Sequence, residues 1–263
     1  MDVTVTSIMG GPDIKLIPHW VAHYRSLGLD QFVVVVNDPV RAEDYDRCLI
    51  AEGIKPAYHI EDLFFKDEIG ARTRLNESTR SPWILQADLD ELVVFDRPLG
   101  VILEDCIKGG YPIVPGSFVD HIQTEGHLKA VEDEPSLWQQ FSLMHPVTDC
   151  VRHGYTPKMV LRQRYFPVKS GNHLYPDCMP DCYPAWQEIH HFRWTAATIP
   201  SLKYILEVWP DCPHRHEFEN VLRFLGDPPS LDLDRLRELA PFVDPSQTLL
   251  EKWIGGQSIV KRG

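Results

Sequence analysis

Residues 31–37, QFVVVVN, are apolar without polar alternation. A strand that shows one face to water alternates; an unbroken run belongs to a strand covered on both faces, as in a parallel sheet between helices. The flanking sequence agrees. VTVTSIM (3–9) is rich in β-formers, and Ile17, Trp20, Val21, Tyr24 and Leu27 recur at the spacing of one helix face. Gly28 stands where that helix stops. A helix-like segment over 41–52 ends at Gly53, KPAYHI (55–60) is a weaker strand, 66–80 is helical and WILQA (83–87) is the next strand. This alternation predicts βαβ units: an α/β fold, mostly parallel, with helices on the sheet.

Beyond about 110 the pattern loosens. PIVPGSFV and KMVLRQ predict strands; the region between them, and the Pro-, Cys- and His-rich stretch 165–195, read as loops. Helices are expected near 198–209, 215–225, 232–240 and 246–253. The GDPP break sets off 227–263 as a helical C-terminal extension to a domain over 1–226. A chain of 263 residues with a formal charge of −12 can bury a full core, and its charge argues against nucleic-acid binding. No stretch reads as a signal peptide or a transmembrane span, and six cysteines without a secretory signal suggest reduced thiols in the cytoplasm.

Asp-x-Asp occurs three times. Asp232 and Asp234, in SLDLDRLREL, suit a helix cap and first turn. Asp44 and Asp46 suit a solvated helix face. Asp88 and Asp90 differ, because they end a buried strand where open α/β sheets bind ligands. Two carboxylates there can share one hard cation, Mg²⁺ or Mn²⁺. A strand-end turn with solvated acids is the plainer alternative.

PHWVAHYRSLGLDQFVVVVND, followed some fifty residues later by WILQADLDELVVF, resembles the nucleotide-sugar glycosyltransferases of the GT-A fold, nearest to family-2-like and family-92-like members. MGGPD (9–13) replaces the Lys-Asn-Glu usual after the first strand, and Leu92 stands where Phe is common. The resemblance is good over 1–96, patchy to about 205 and absent beyond. It implies a Rossmann-like sheet and a metal-dependent hexosyltransferase moving sugar, with inversion, from a nucleoside diphosphate sugar (a UDP-sugar) to a hydroxyl acceptor, glycan or lipid-linked.

The resemblance also distributes roles. Asp88 and Asp90 would hold the cation against the donor diphosphate, with Asp90 the more direct ligand and His173, in KSGNHLY, the third. Glu91 would hold the turn or face the acceptor. Asp38 matches a nucleoside-contacting acid, although a turn-initiating Asp before Pro39 explains it too. Arg72 and Arg74 would face the diphosphate, or else lie on a solvated helix face. Asp120 is the first candidate for the base, with Glu125 and His121 competing. His190 and His191, in EIHHFRW, are the alternatives to His173 as third ligand, His191 also matching a functional residue ahead of a late helix and so a catalytic candidate, and any of these imidazoles can instead be structural.

Other constellations compete. Cys178, Cys182, Cys212, His214 and His216 offer enough ligands for structural zinc, at spacings unlike common zinc modules. His19 and His23 have i,i+4 spacing without the glutamate of a zinc protease. A nucleotidyltransferase is the first rival, with Gly10, Gly11 and Lys15 as a phosphate loop. A non-catalytic carbohydrate- or partner-binding module is the second.

Overall fold

The computed structural model describes residues 2–61, 67–167, 170–174 and 181–249. The first half follows the expected alternation: β1 (Val3–Met9), α1 (Leu16–Ser26), β2 (Phe32–Val36), α2 (Ala42–Ala51), β3 (Tyr58–His59), α3 (Glu68–Glu77) and β4 (Trp83–Gln86). β1 pairs in parallel with β2 and β4, and β2 in parallel with β3. Then come β5 (Glu91–Val94), α4 (Leu99–Gly109), β6 (Ile113–Ile122), α5 (Leu137–Gln140), β7 (Leu143–His145), α6 (Val147–Cys150), β8 (Lys158–Gln163) and β9 (Gln187–His191). Helices α7 (Thr198–Val208), α8 (Arg215–Leu225) and α9 (Leu233–Leu239) follow.

The α/β class is as expected, but the sheet is mixed rather than mostly parallel. Its order is β3-β2-β1-β4-β8-β6-β9-β5, with β7 on β6. β8 runs antiparallel to β4 and β6, β5 antiparallel to β9, and β7 antiparallel to β6; β6 and β9 are parallel. The stretch 165–195 is not all loop, since β9 occupies the sheet interior between β6 and β5. Its QEIHH carries one aliphatic residue, so polarity concealed a buried strand. Of the helix expected over 246–253, a single 3₁₀ turn at Pro245–Gln247 is present, and 250–253 lie outside the described residues.

Residues 87–90 join β4 to β5, yet β8, β6 and β9 lie between them in the sheet. In a flat sheet those two strands would stand about 19 Å apart, at ~4.8 Å per step. Five Cα steps reach about 17 Å even when extended, and here they include a turn closed by Glu91 N–H on the Asp88 carbonyl (3.1 Å). The sheet therefore curls, and the acidic turn sits in the short span that closes the curl.

Helices α1, α2 and α4 bury Trp20, Tyr24, Tyr45, Leu49 and Ile102 against Val3, Val5, Val34 and Leu85. α3 covers the opposite face, where Asn76 meets Arg162 of β8. A second cluster joins Ile122, Val147 and Trp194 to α7, α8 and α9, and Leu225, Leu231 and Leu236 share it across residue 227. No helix among the described residues is long and apolar enough to cross a membrane.

Candidate functional site

Strand register builds the site. Asp120 of β6 pairs with His191 of β9, which pairs with Glu91 of β5, so three side chains lie in one row across adjacent strands. The turn before β5 adds Asp88 and Asp90. β8 runs antiparallel to β4, which brings Lys158, its first residue, to the end of β4. Phe118 stacks on the His191 ring (centroids 4.4 Å apart, planes at 10°), and the Lys158 ammonium lies 5.2 Å from the other partner of this stack, the Phe118 centroid.

His191 is oriented from behind. Its Nδ1 donates to Asp120 Oδ1 (2.7 Å), which fixes the tautomer and aims Nε2 at Asp90 Oδ2 (3.4 Å). Asp120 is 1% exposed. Its carboxylate also accepts from Thr148 N–H (2.6 Å), Thr148 Oγ1 (2.7 Å) and Trp194 Nε1 (3.1 Å). Burial alone would raise its pKa, but His191 and Thr148 hold it below the ordinary carboxylate value. Burial likewise works against a charged His191, yet Asp90 and Asp120 outweigh it and push the imidazole up to about 9.

Asp88 faces the other way. Its Oδ2 lies 2.9 Å from Lys158 Nζ and its Oδ1 3.6 Å from Arg72 Nη2. These cations overcome burial and hold it far below the carboxylate range. Lys158 also donates to Glu91 Oε1, and the Asp88 N–H donates to Glu91 Oε2 (3.3 Å). Glu91 is 3% exposed, and burial is the main reason its pKa is raised to about 7. In this cluster the carboxylates of Glu68, Asp88, Asp90, Glu91 and Asp120 face the cations of Lys158, Arg72 and His191. The surplus of negative charge draws protons onto Glu91 and His191.

Among the described residues, the group able to hold a metal ion is Asp90, Glu91 and His191, whose ligand atoms lie within 4.8 Å of one another. The donor set fits a hard divalent cation: two carboxylates, an imidazole with Nε2 turned inward, and a carboxylate behind the imidazole. The expected ligand His173 is near but outside this group. Its Nδ1 donates to the Pro157 carbonyl (3.2 Å), and burial, then Lys158, lower its pKa to about 4.

The other expected residues divide. Arg72 is buried beside Asp88 and bonds Glu68 (2.8 Å), while Arg74 is exposed and 3.5 Å from Asp67. Asp38 ties two strand-end loops together, accepting from Gly11 N–H (3.1 Å), Arg41 N–H (3.0 Å) and Arg41 Nη1 (2.9 Å). The loops approach so closely that a Cβ on Gly10 would lie 2.5 Å from the Asn37 carbonyl oxygen. His121 and His190 are buried and bonded to each other (2.7 Å), and exposed Glu125 lies 3.8 Å from His127. Lys15 pairs with Glu132 (2.9 Å). Cys182 and Cys212 lie in different apolar clusters, exposed His214 bonds Glu217, and Cys178 is outside the described residues, so no zinc group forms among the described ones.

Lys158 and Asp13 were missed. A lysine heading an apolar strand was the available signal for the first, because buried lysines are rare without carboxylate partners. Asp13 follows β1 at the same edge, accepts from Thr195 Oγ1 (2.5 Å), and has its pKa raised by burial and further by Asp90.

No protein-family model matches the chain, and no curated protein matches it. Several solved structures are similar. One is S. aureus TarS 1–349, at 8% identity over 86% of this chain and 71% of that chain, with a TM-score of 0.38. A longer TarS structure is covered over 43% of its length. Another is the inositol-1-phosphate CTP transferase from T. maritima, at 10% identity over 79% of this chain and 95% of that one, TM-score 0.39. A third is a CMP:2-keto-3-deoxy-manno-octonic acid synthetase, at 11% identity over 79% and 97%, TM-score 0.39. Likeness this distant assigns no activity. Fold and site together define an α/β protein with a carboxylate–imidazole group at its sheet edge.

Proposed function

We propose that the chain transfers a sugar from a nucleoside diphosphate sugar, a UDP-sugar, to a hydroxyl acceptor, with inversion and with a divalent cation, Mn²⁺ or Mg²⁺. The observation that carries this reading is the convergence of Asp90, Glu91 and His191 at the closing turn of the curled sheet, with Asp120 fixing the imidazole. When bound there, the cation would neutralise charge gathering on the leaving nucleoside diphosphate. Lys158 and Arg72, buried and paired with Asp88, Glu91 and Glu68, supply fixed positive charge on the Asp88 side. The edge formed by Gly10, Gly11 and Asp38 is where the nucleoside belongs in this reading.

Asp120 takes a different part from the base expected of it. A buried carboxylate whose oxygens accept from four donors is closed to an acceptor hydroxyl, so it positions His191. The same cation and flanking charges would also suit a nucleoside triphosphate, so nucleotidyl transfer is the second reading. Lys15 lends it little, being engaged with Glu132.

Calorimetric titration with UDP, with and without Mn²⁺, tests the proposal. Binding should require the cation and fall at least tenfold in Asp90→Ala. Cation-independent binding, or unchanged binding by the variant, would sink it. Release of nucleoside diphosphate from donor sugars supports the first reading, and pyrophosphate release from a triphosphate the second.

A further inference from the structure

On the sheet face beneath α3 lies a polar compartment for which sugar transfer has no use. Its centre is Arg162 of β8, 0% exposed. Nη2 donates to Asn76 Oδ1 (2.5 Å) and Gln86 Oε1 (3.3 Å), and Nη1 to the Phe166 carbonyl (3.3 Å). All three acceptors are neutral, and no carboxylate among the described residues pairs with this guanidinium. A buried cation without a counter-charge is costly. Burial, and then nearby Arg72, lower its pKa only to about 10, so it stays charged at neutral pH.

Three buried atoms here have no hydrogen-bond partner among the described residues: Arg162 Nε, Gln86 Nε2 and Thr6 Oγ1. They belong to three adjacent strands. Thr6 and Gln86 are register partners in β1 and β4, and Arg162 stands opposite Ile84, diagonal to Gln86. The Gln86 amide cannot be turned over, because a guanidinium only donates and must meet Oε1. Its NH₂ group is therefore left with nothing to donate to. Two N–H donors and a hydroxyl around an uncompensated cation call for an occupant that accepts hydrogen bonds and carries negative charge. Thr6 and Gln86, at 0% and 3% exposed, close the compartment to anything as large as a substrate phosphate.

We propose that Arg162, Gln86 and Thr6 form a buried binding site for a monatomic anion, a halide. The inference is independent of sugar transfer, and neither of its readouts uses activity. Crystals of the full chain grown in sodium bromide should show an anomalous peak at hydrogen-bonding distance from Arg162 Nε and Gln86 Nε2. No peak there, or a water indifferent to the salt used, overturns the proposal. In solution, thermal unfolding is compared in sodium chloride and sodium gluconate at equal ionic strength. At a hundredfold excess over Kd, chloride should raise Tm by about 5–10 °C over gluconate; equal Tm values overturn the proposal. Arg162→Met is expected to abolish the chloride effect. Should that variant not fold, Gln86→Leu keeps the cation and removes a donor, and should weaken halide binding at least tenfold. An unchanged chloride dependence in Gln86→Leu counts against the site.

Discussion

At the scale of residues, two aspartates on one imidazole play opposite parts. Asp90 is about a quarter exposed, and among the described residues its carboxylate meets only the His191 imidazole, so it is available to a ligand. Asp120 spends both oxygens on buried donors. The two amide substitutions should therefore separate. In Asp120→Asn the new NH₂ must face either Thr148 N–H or the donors on Oδ1, and a buried charge pair is broken. That change should cost about 3–5 kcal/mol and lower Tm by roughly 6–20 °C. Asp90→Asn should leave Tm within about 2 °C, as a partly exposed pair is worth little, while Mn²⁺ affinity falls at least tenfold. Thermal unfolding with Mn²⁺ titration of both variants checks this; equal Tm losses would refute the division.

At the scale of elements, the acidic pairs show what a sequence makes legible. Asp232 caps α9, accepting from the N–H groups of Asp234 and Arg235 (3.1 Å each), and Asp44 and Asp46 lie on α2, all as their local contexts predicted. Asp232→Ala should cost about 1 kcal/mol and lower Tm by about 2–4 °C, measured by denaturant or thermal unfolding; no change would mean that α9 is held by Leu236 alone. The strands β1, β2 and β4 were legible because their apolar runs answer to a general burial rule. β9 was not. Gln187, His190 and His191 are polar yet buried because each is paired across the sheet, with Asp96 N–H, His121 and Asp120. The acidic turn is legible as a pair of carboxylates at a strand end, while its partners depend on the register of β6, β9 and β5, which no local pattern encodes. Hence the sequence singles out Asp88 and Asp90, but the row Asp120–His191–Glu91 and the lysine between Asp88 and Glu91 follow only from the sheet.

At the scale of the whole molecule, buried titratable groups set how stability follows pH. Burial lowers His23 and, together with Lys158, His173 to about 4, and it lowers His121 and His190 to about 3, so all four are neutral when folded. Unfolded imidazoles titrate near 6.5. Below that pH the unfolded chain binds four protons that the native chain refuses, while His191, raised to about 9, is charged in both states, and stability falls as pH falls. Glu91 acts in the opposite sense: raised to about 7, it holds a proton when folded that the unfolded chain has lost above about pH 4.5. Between pH 6 and 5 the net difference is three protons, or about 4 kcal/mol per pH unit. The aspartates Asp88, Asp90 and Asp120, held low, add to the loss only below about pH 4. From pH 7 to 5 the protein should therefore lose about 4–5 kcal/mol and roughly 8–20 °C of Tm. Circular-dichroism melts at constant ionic strength measure this, and a flat or rising Tm would show that the imidazoles are not neutral in the native state. Saturating Mn²⁺ should steepen the acid limb, because a bound cation displaces the protons of Glu91 and His191. His23→Gln should flatten it by about one proton's worth, ~1.4 kcal/mol per pH unit, whether or not the cation is present.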